Sequence, residues 1–174
     1  MVRADANGYT PRARLAELVI DRLNPRASFD DLVAQLLYEH VECYPGVVPR
    51  LEALVAAGES LVIVTNGESR QQRMKIRRTG LDNIVAGSVI SGELGVKKPD
   101  ARIFAAAREI AGGDGIVWMV GDHVEADIAG ARTAGLATAW VSHGRSWPHP
   151  WTPTLTAPGA ADALVLLNGE LRSG

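Results

Sequence analysis

The stretch WMVGDHVEADIAGARTAG, residues 118–135, joins an apolar run to a glycine–aspartate pair and then to a segment of small residues. Apolar residues from 116 to 120 predict a buried strand, because short apolar runs that end at a turn are typical of parallel sheets. Asp122 follows this strand directly, and Asp127 lies about one helical turn further on. The stretch therefore predicts a strand, a turn and a helix, with carboxylates at the end of the strand.

The same alternation of short apolar runs and helical patterns extends to both sides of this stretch. It is typical of an α/β fold in which a Rossmann-like parallel sheet is connected by right-handed crossovers. Ligands of such sheets bind at the carboxyl ends of the strands, so polar residues directly after strands are the best functional candidates. The predicted strands are 61–65, 84–91, 116–121 and 136–142, and the predicted helices between them are 70–80, 99–111 and 124–135.

Helical patterns come before the alternating region, and the end of the chain is less regular. Helices are predicted at 11–23, at 28–37 and within 44–59, where Gly58 would stop the third one. The segment 144–158 is rich in Pro and Trp without a period, and 161–171 predicts a short strand and turn. Trp140, Trp147 and Trp151 are expected to cover an edge of the core, and the alternative is that they form a contact surface.

Composition sets the broad class of the protein. The chain has 174 residues, of which 47% are hydrophobic, so it is long enough for one globular domain with a core. A formal net charge of -2 leaves no basic excess to bind nucleic acid. Cys43 is the only cysteine, no signal sequence is evident, and no apolar run reaches the length of a membrane span. We expect a soluble, cytoplasmic protein without a membrane or nucleic-acid partner.

Thr65 ends the predicted strand 61–65, and Asn66 and Gly67 follow it. A hydroxyl group, an amide side chain and backbone N–H groups at the start of a helix can bind an anion, since a helix N-terminus carries partial positive charge. The alternative is a plain turn, in which asparagine and glycine adopt unusual backbone angles.

Lys97 and Lys98 precede Pro99 and Asp100, which predict a helix start. A lysine at this place can reach over the strand ends and act as a point charge for phosphate. The alternative is a solvated loop, and the residues themselves do not choose between the two lysines.

Asp122 is a candidate ligand of Mg2+, because this ion takes oxygen ligands and is usually bound by one or two carboxylates. Asp127 would orient the site through a hydrogen bond. The alternative is that Asp122 caps the following helix and that Asp127 favours the helix dipole.

Three segments taken together resemble a known family. LVIVTNG (61–67), GVKKPDARIF (95–104) and the segment 117–135 resemble the second, third and fourth motifs of the haloacid dehalogenase-like (HAD) hydrolase superfamily. The likeness covers most of residues 45–142. It implies a partial helical cap in residues 1–44 and a HAD-like α/β core in residues 45–174.

The resemblance implies an enzyme, most commonly in this family a Mg2+-dependent phosphatase of a small phosphorylated substrate. Such chemistry depends mainly on positioning and on stabilisation of charge. Lys98 matches the family lysine better than Lys97, because it directly precedes Pro99. The matching positions are Thr65, Asn66 and Gly67 for substrate binding, Lys98 for catalysis, and Asp122 and Asp127 for the metal.

One family feature is missing from the sequence. The first motif, D-x-D-x-[TV], supplies the nucleophile at the end of a central strand, and neither Asp5 nor the pair Asp30 and Asp31 follows an apolar strand. The resemblance places that strand between those predicted at 61–65 and 116–121, so its absence would leave two strand edges unpaired. We therefore expect a catalytically incomplete chain that resembles the C-terminal portion of a longer hydrolase. The alternatives are a non-catalytic phosphate- or partner-binding module and a 2-haloacid dehalogenase-like protein.

Overall fold

The computed structural model of the chain describes residues 41–173. The helices predicted at 11–23 and 28–37, and nearly all of the predicted cap segment 1–44, lie outside this part. Asp5, Asp30 and Asp31 lie outside it as well. The rest of the chain confirms a mixed α/β fold with parallel strands.

Five short strands form two parallel sheets in the described part of the chain. The first sheet pairs β1 with β2, and the second has the order β3, β4, β5. Because parallel neighbours end at the same edge, the turns after the strands of each sheet lie side by side. The strands are β1 (Val62–Thr65), β2 (Gly87–Ile90), β3 (Trp118–Gly121), β4 (Ala137–Val141) and β5 (Leu155–Ala157).

The helices predicted around the first three strands are confirmed. The one within 44–59 ends before Gly58, which has a φ angle of 94°, and the helices predicted at 70–80 and 99–111 are also present. None of the described helices is long and apolar enough to cross a membrane. The helices are α1 (Val47–Ala56), α2 (Ser69–Arg78), α3 (Ser91–Leu94), α4 (Ala101–Ala111), α5 (Gly130–Thr133) and α6 (Ala160–Ser173), with a 3-10 turn at Leu81–Asn83.

The end of the chain differs from the sequence-based prediction. The segment 161–171 belongs to α6 rather than to a strand and turn, and β5 lies in the segment that shows no period. Leu164 and Leu167 are spaced for one helix face and pack against Leu54 of α1. The Asn168–Gly169 pair resembles a turn in sequence, but burial of this leucine face favours a continuous helix.

The helix predicted at 124–135 is interrupted. Residues Val124–Ala129 form a π-helix, and α5 follows it. The carbonyl of His123 accepts hydrogen bonds from the N–H groups of both Asp127 and Ile128, at 2.9 and 3.3 Å. Single π turns inside helices are common at functional sites, and this one lies directly after the strand that carries Asp122.

The two sheets do not join through β1 and β3. These strands pair only with β2 and β4 among the described residues, and a cavity of about 590 Å³ lies between them. Apolar side chains of both strands, including Val64 and Val120, line this cavity. Within residues 41–173 the facing edges of β1 and β3 therefore have no β partner.

Candidate functional site

Lys98 connects the two sheets at their carboxyl ends. Its Nζ donates a hydrogen bond to the carbonyl oxygen of Val64 in β1 at 2.7 Å, and it lies 2.7 Å from Oδ1 of Asp127. The Lys98 and Asp127 side chains are only 10% and 9% exposed, respectively. Such a buried pair satisfies both charges, and losing either partner would leave the other one uncompensated.

Asn66 positions the backbone of Lys98. The Lys98 N–H donates to Asn66 Oδ1 at 2.8 Å, and Asn66 Nδ2 donates to the Lys98 carbonyl at 3.0 Å. Lys97, in contrast, has an exposed side chain. The geometry thus favours Lys98 over Lys97 as the lysine of the site, and it gives the Asn66 side chain a positioning role.

The helix start after Lys98 follows the sequence-based prediction. The Lys98–Pro99 peptide is cis, and Asp100 caps α4 by accepting a hydrogen bond from the Arg102 N–H at 2.9 Å. Hydrogen bonds from the Arg102 guanidinium group and backbone lower the pKa of Asp100 to about 2. Asp100 is therefore charged at neutral pH and favours the helix dipole.

The turn after β1 offers fewer free donors than the sequence predicts. The Gly67 N–H donates to Ser91 Oγ at 2.9 Å, and Thr65 Oγ1 donates to Gln72 Oε1 at 3.0 Å. A hydroxyl group can rotate to another acceptor at little cost, whereas the direction of the Gly67 N–H group is fixed by the backbone of the turn. Thr65 is therefore the more available of these two groups for an anion.

The N-terminus of α2 is capped from within the chain. Glu68 accepts hydrogen bonds from the N–H groups of Arg70 and Gln71, at 3.0 and 2.9 Å. A carboxylate thus occupies the place where a helix N-terminus would receive an external anion. Three backbone N–H groups at this turn, those of Gly67, Arg70 and Gln71, therefore already donate to side chains of the same chain.

Asp122 presents an open carboxylate at the end of β3. Its side chain is 58% exposed, and the nearest nitrogen atoms of basic side chains in the described chain are Arg145 Nη2 at 3.7 Å and His143 Nε2 at 3.9 Å. The helix cap is His123, whose Nδ1 accepts a hydrogen bond from the Ala126 N–H at 3.1 Å. The alternative in which Asp122 caps the helix is therefore wrong, because His123 is the residue that caps it.

Asp127 differs from Asp122 because both of its oxygens have partners. Oδ1 pairs with Lys98, and Oδ2 accepts a hydrogen bond from the His123 N–H at 3.0 Å. Among residues 41–173, no three His, Cys, Asp or Glu side chains come close enough together to hold a metal ion. The donor chemistry fits Mg2+ in part, with Asp122 as an open ligand and Asp127 as an orienting group.

The absence of a Cβ atom at Gly121 allows the Asp127 side chain to pack closely against the end of β3. Replacing Gly121 with alanine tests this packing. A Cβ atom at this position would lie 2.5 Å from Asp127 Oδ2 and 2.6 Å from Asp127 Cβ. We expect Gly121→Ala to lower the free energy of unfolding by about 1–3 kcal/mol, as measured by urea unfolding. Gly115→Ala is the control, since a Cβ there meets nothing within 4 Å. Equal stability of the two variants would contradict the predicted clash.

The family comparison agrees with the motifs at the strand ends. A model of the haloacid dehalogenase-like hydrolases matches residues 5–135, which is well over half of the chain. The chain belongs to the haloacid dehalogenase-like hydrolases. This confirms the resemblance predicted from the segments after β1, β2 and β3.

Individual HAD-like proteins are similar over parts of their length. Pyrimidine 5'-nucleotidase YjjG of Escherichia coli is 44% identical over 126 residues, which cover 71% of this chain and 56% of that protein. A HAD phosphatase structure from Thermococcus onnurineus has a TM-score of 0.71 and 27% identity, and the match covers 83% of this chain and 66% of the other. A 2-haloacid dehalogenase structure from Pseudomonas syringae has a TM-score of 0.65 and 28% identity, with 94% and 70% coverage. The chain thus spans little more than half of the length of YjjG.

The residues after β4 of this HAD-like chain also contact the site, although no sequence motif points to them. Trp140 Nε1 and Arg145 Nη2 both donate to the carbonyl oxygen of Asp122, at 3.2 and 2.8 Å. The polar run after the predicted strand 136–142 was a usable signal, because polar residues after parallel strands lie near the ligand. The irregular composition of the segment that follows, residues 144–158, makes this signal hard to recognise in the sequence.

The tryptophans lie together next to this part of the site. Trp140 is fully buried, which confirms its expected place in the core, whereas Trp147 and Trp151 are half-buried. The ring of Trp147 makes edge contacts with both Trp140 and Trp151, at centroid distances of 4.9 and 4.8 Å. His149 stacks on Trp151 at 5.3 Å. The aromatic cluster of Trp140, Trp147, His149 and Trp151 therefore orders the loop after β4.

Proposed function

We propose that the chain carries the phosphate-binding and metal-orienting part of a Mg2+-dependent phosphatase of a small phosphorylated substrate. The observation that carries this proposal is the placement of one buried ammonium group, that of Lys98, between β1 and the segment after β3. An open carboxylate, Asp122, follows the same strand β3. Cationic and acidic groups at the carboxyl ends of a parallel sheet are suited to a phosphate and its metal.

Each candidate residue has a distinct task in this proposal. Lys98 has three donor hydrogens, of which two face Val64 and Asp127, so the third is available for a phosphoryl oxygen. Thr65 would donate its hydroxyl hydrogen to a second phosphoryl oxygen. Asp122 would bind Mg2+ directly, and Asp127 would orient Lys98 and the turn at His123. When bound, Mg2+ would polarise a phosphoryl oxygen and offset its charge.

The proposal includes catalytic incompleteness of the 174-residue chain. It is supported by the absence of a D-x-D-x-[TV] pattern from the sequence and, in the part of the chain that the structure describes, by the unpaired edges of β1 and β3 on either side of the cavity. A site that orients a phosphate but has no nucleophile cannot form a covalent intermediate. We therefore expect binding without turnover.

A calorimetric titration combined with an activity assay tests the proposal. The purified chain is expected to bind inorganic phosphate in the presence of Mg2+. It is expected not to accelerate the hydrolysis of p-nitrophenyl phosphate above the uncatalysed rate. Turnover that requires Mg2+ and is lost in Asp122→Asn would contradict catalytic incompleteness. A folded chain with a cooperative melt that binds no phosphate would contradict the phosphate site itself.

The alternatives are separated by two further observations. An in-frame apolar strand followed by D-x-D-x-[TV] in the nucleotide sequence upstream of Met1 would support the incomplete hydrolase, and stop codons there would favour the binding module. Release of halide from a 2-haloacid without added metal would favour the dehalogenase alternative.

A further inference from the structure

The peptide group between Asp122 and His123 is held on both of its sides. Its carbonyl oxygen, which belongs to Asp122, accepts hydrogen bonds from Arg145 Nη2 at 2.8 Å and Trp140 Nε1 at 3.2 Å. Its N–H group, which belongs to His123, donates to Asp127 Oδ2 at 3.0 Å. One peptide plane therefore connects the loop after β4 with both candidate carboxylates.

We infer that Arg145 is a positioning residue that fixes this peptide plane and so aims the Asp122 carboxylate. The inference rests on the proposed metal site for its functional meaning. In the described chain the Asp122 carboxylate has no hydrogen bond of its own, so its direction depends on the backbone that carries it. A rotation of the plane would also break the bond from His123 to Asp127.

Arg145 is suited to this task by the shape of its side chain. Its Nε donates to the Ser142 carbonyl at 2.8 Å, and Nη2 is shared between the carbonyls of Asp122 and Val141, at 2.8 and 3.3 Å. A planar guanidinium group can contact several acceptors in fixed directions, which a lysine ammonium on a flexible stem cannot do. Arg145 thus links the end of β4 to the end of β3.

The loop that carries Arg145 is anchored independently of Asp122. The N–H groups of Ser142 and His143 donate to the carbonyls of Ala157 and Pro158, at 2.8 and 3.1 Å. Trp147 then packs its ring edge against Trp140. The guanidinium group is therefore presented from a fixed base, as a positioning residue requires.

The positive charge of Arg145 would weaken cation binding at Asp122, whereas its positioning role would strengthen it. Its guanidinium lies 3.7 Å from Asp122 Oδ2 and would repel a metal ion there, but the side chain is 49% exposed. Exposed charges are screened and contribute little, whereas loss of an orienting partner typically costs 10–100-fold in metal affinity. We therefore expect removal of Arg145 to weaken metal binding.

Two measurements on the folded 174-residue chain test this inference. In Arg145→Gln, hydrogen exchange of the His123 amide is expected to become about tenfold faster, as loss of one hydrogen bond from a charged group would allow. Exchange of the Ala139 amide in β4 should stay the same. Affinity for Mn2+, used as a spectroscopic probe for Mg2+, is expected to fall about tenfold by electron paramagnetic resonance titration.

Variants separate positioning from general stability and from charge. Arg145→Lys keeps the charge but loses the planar group, so we expect it to resemble Arg145→Gln in both measurements. Arg132→Gln is the control, because Arg132 has the same charge and contacts the Trp151 ring instead of Asp122. Equal acceleration of the His123 and Ala139 amides, or full rescue by lysine, would overturn the inference. If the wild-type chain binds no Mn2+, the proposed metal site fails, and the His123 exchange rate still decides the role of Arg145.

Discussion

Replacing Lys98 with methionine is expected to lower the free energy of unfolding by about 3–5 kcal/mol. Methionine keeps most of the apolar stem, so the change mainly removes the ammonium group. The Asp127 carboxylate, only 9% exposed, then loses its cationic partner, and the Val64 carbonyl loses a donor. Urea unfolding followed by tryptophan fluorescence at neutral pH measures this loss.

Two variants show whether the buried charge causes the effect. Lys97→Met makes the same chemical change at an exposed neighbour, so we expect a change within about 0.5 kcal/mol. The double variant Lys98→Met with Asp127→Asn should recover part of the lost stability, because no uncompensated charge remains buried. Equal losses at Lys97 and Lys98, or no recovery in the double variant, would show that the ion pair does not stabilise this end of the sheet.

Replacing Asp122 with asparagine is expected to weaken Mn2+ binding at least about 100-fold without lowering stability. Loss of an orienting group alone costs up to about this factor, so loss of a direct ligand should cost as much or more. The fold should tolerate the change, since the Asp122 side chain is 58% exposed and His123 caps the helix that follows. Titration with Mn2+ and urea unfolding measure the two quantities separately.

Asp114→Asn is the matched control for this prediction. Asp114 is also an exposed aspartate, but it precedes β3, whereas Asp122 follows it. Its replacement removes the same charge and should leave metal affinity almost unchanged, because distant exposed charges are screened. If both variants weaken Mn2+ binding equally, the effect is one of net charge. If Asp122→Asn lowers stability and leaves metal affinity intact, Asp122 has a structural role and the metal site is elsewhere.

Much of the candidate site followed from one rule applied to the sequence. Polar residues at the ends of apolar strands were expected at one edge of a parallel sheet. Thr65 is indeed the last residue of β1, and Asp122 directly follows β3. The same rule, applied to the strand 136–142, would have found Arg145. The segment after that strand shows no period in its sequence, although its aromatic residues pack into an ordered cluster.

The local patterns also failed where a helix carried turn-like residues. The segment 161–171 contains an Asn–Gly pair, yet it is helical because its leucines pack against α1. The interruption of the helix after His123 was likewise invisible in the apolar pattern. In the segment 161–171 the tertiary contacts outweigh local propensity, which amounts to only a fraction of a kcal/mol per residue.

The sequence by itself determined the order of strands and helices from α1 to β4, the family, and which turns carry polar groups, because these depend on residues close together in the chain. The tertiary structure decided which of those groups meet. Lys98 rather than Lys97 reaches Asp127, and His123 rather than Asp122 caps the helix. The contact between Lys98 and Val64 joins residues 34 positions apart. No local pattern contains such a distance, so the partners of each polar group became defined only when the sheets and helices packed together.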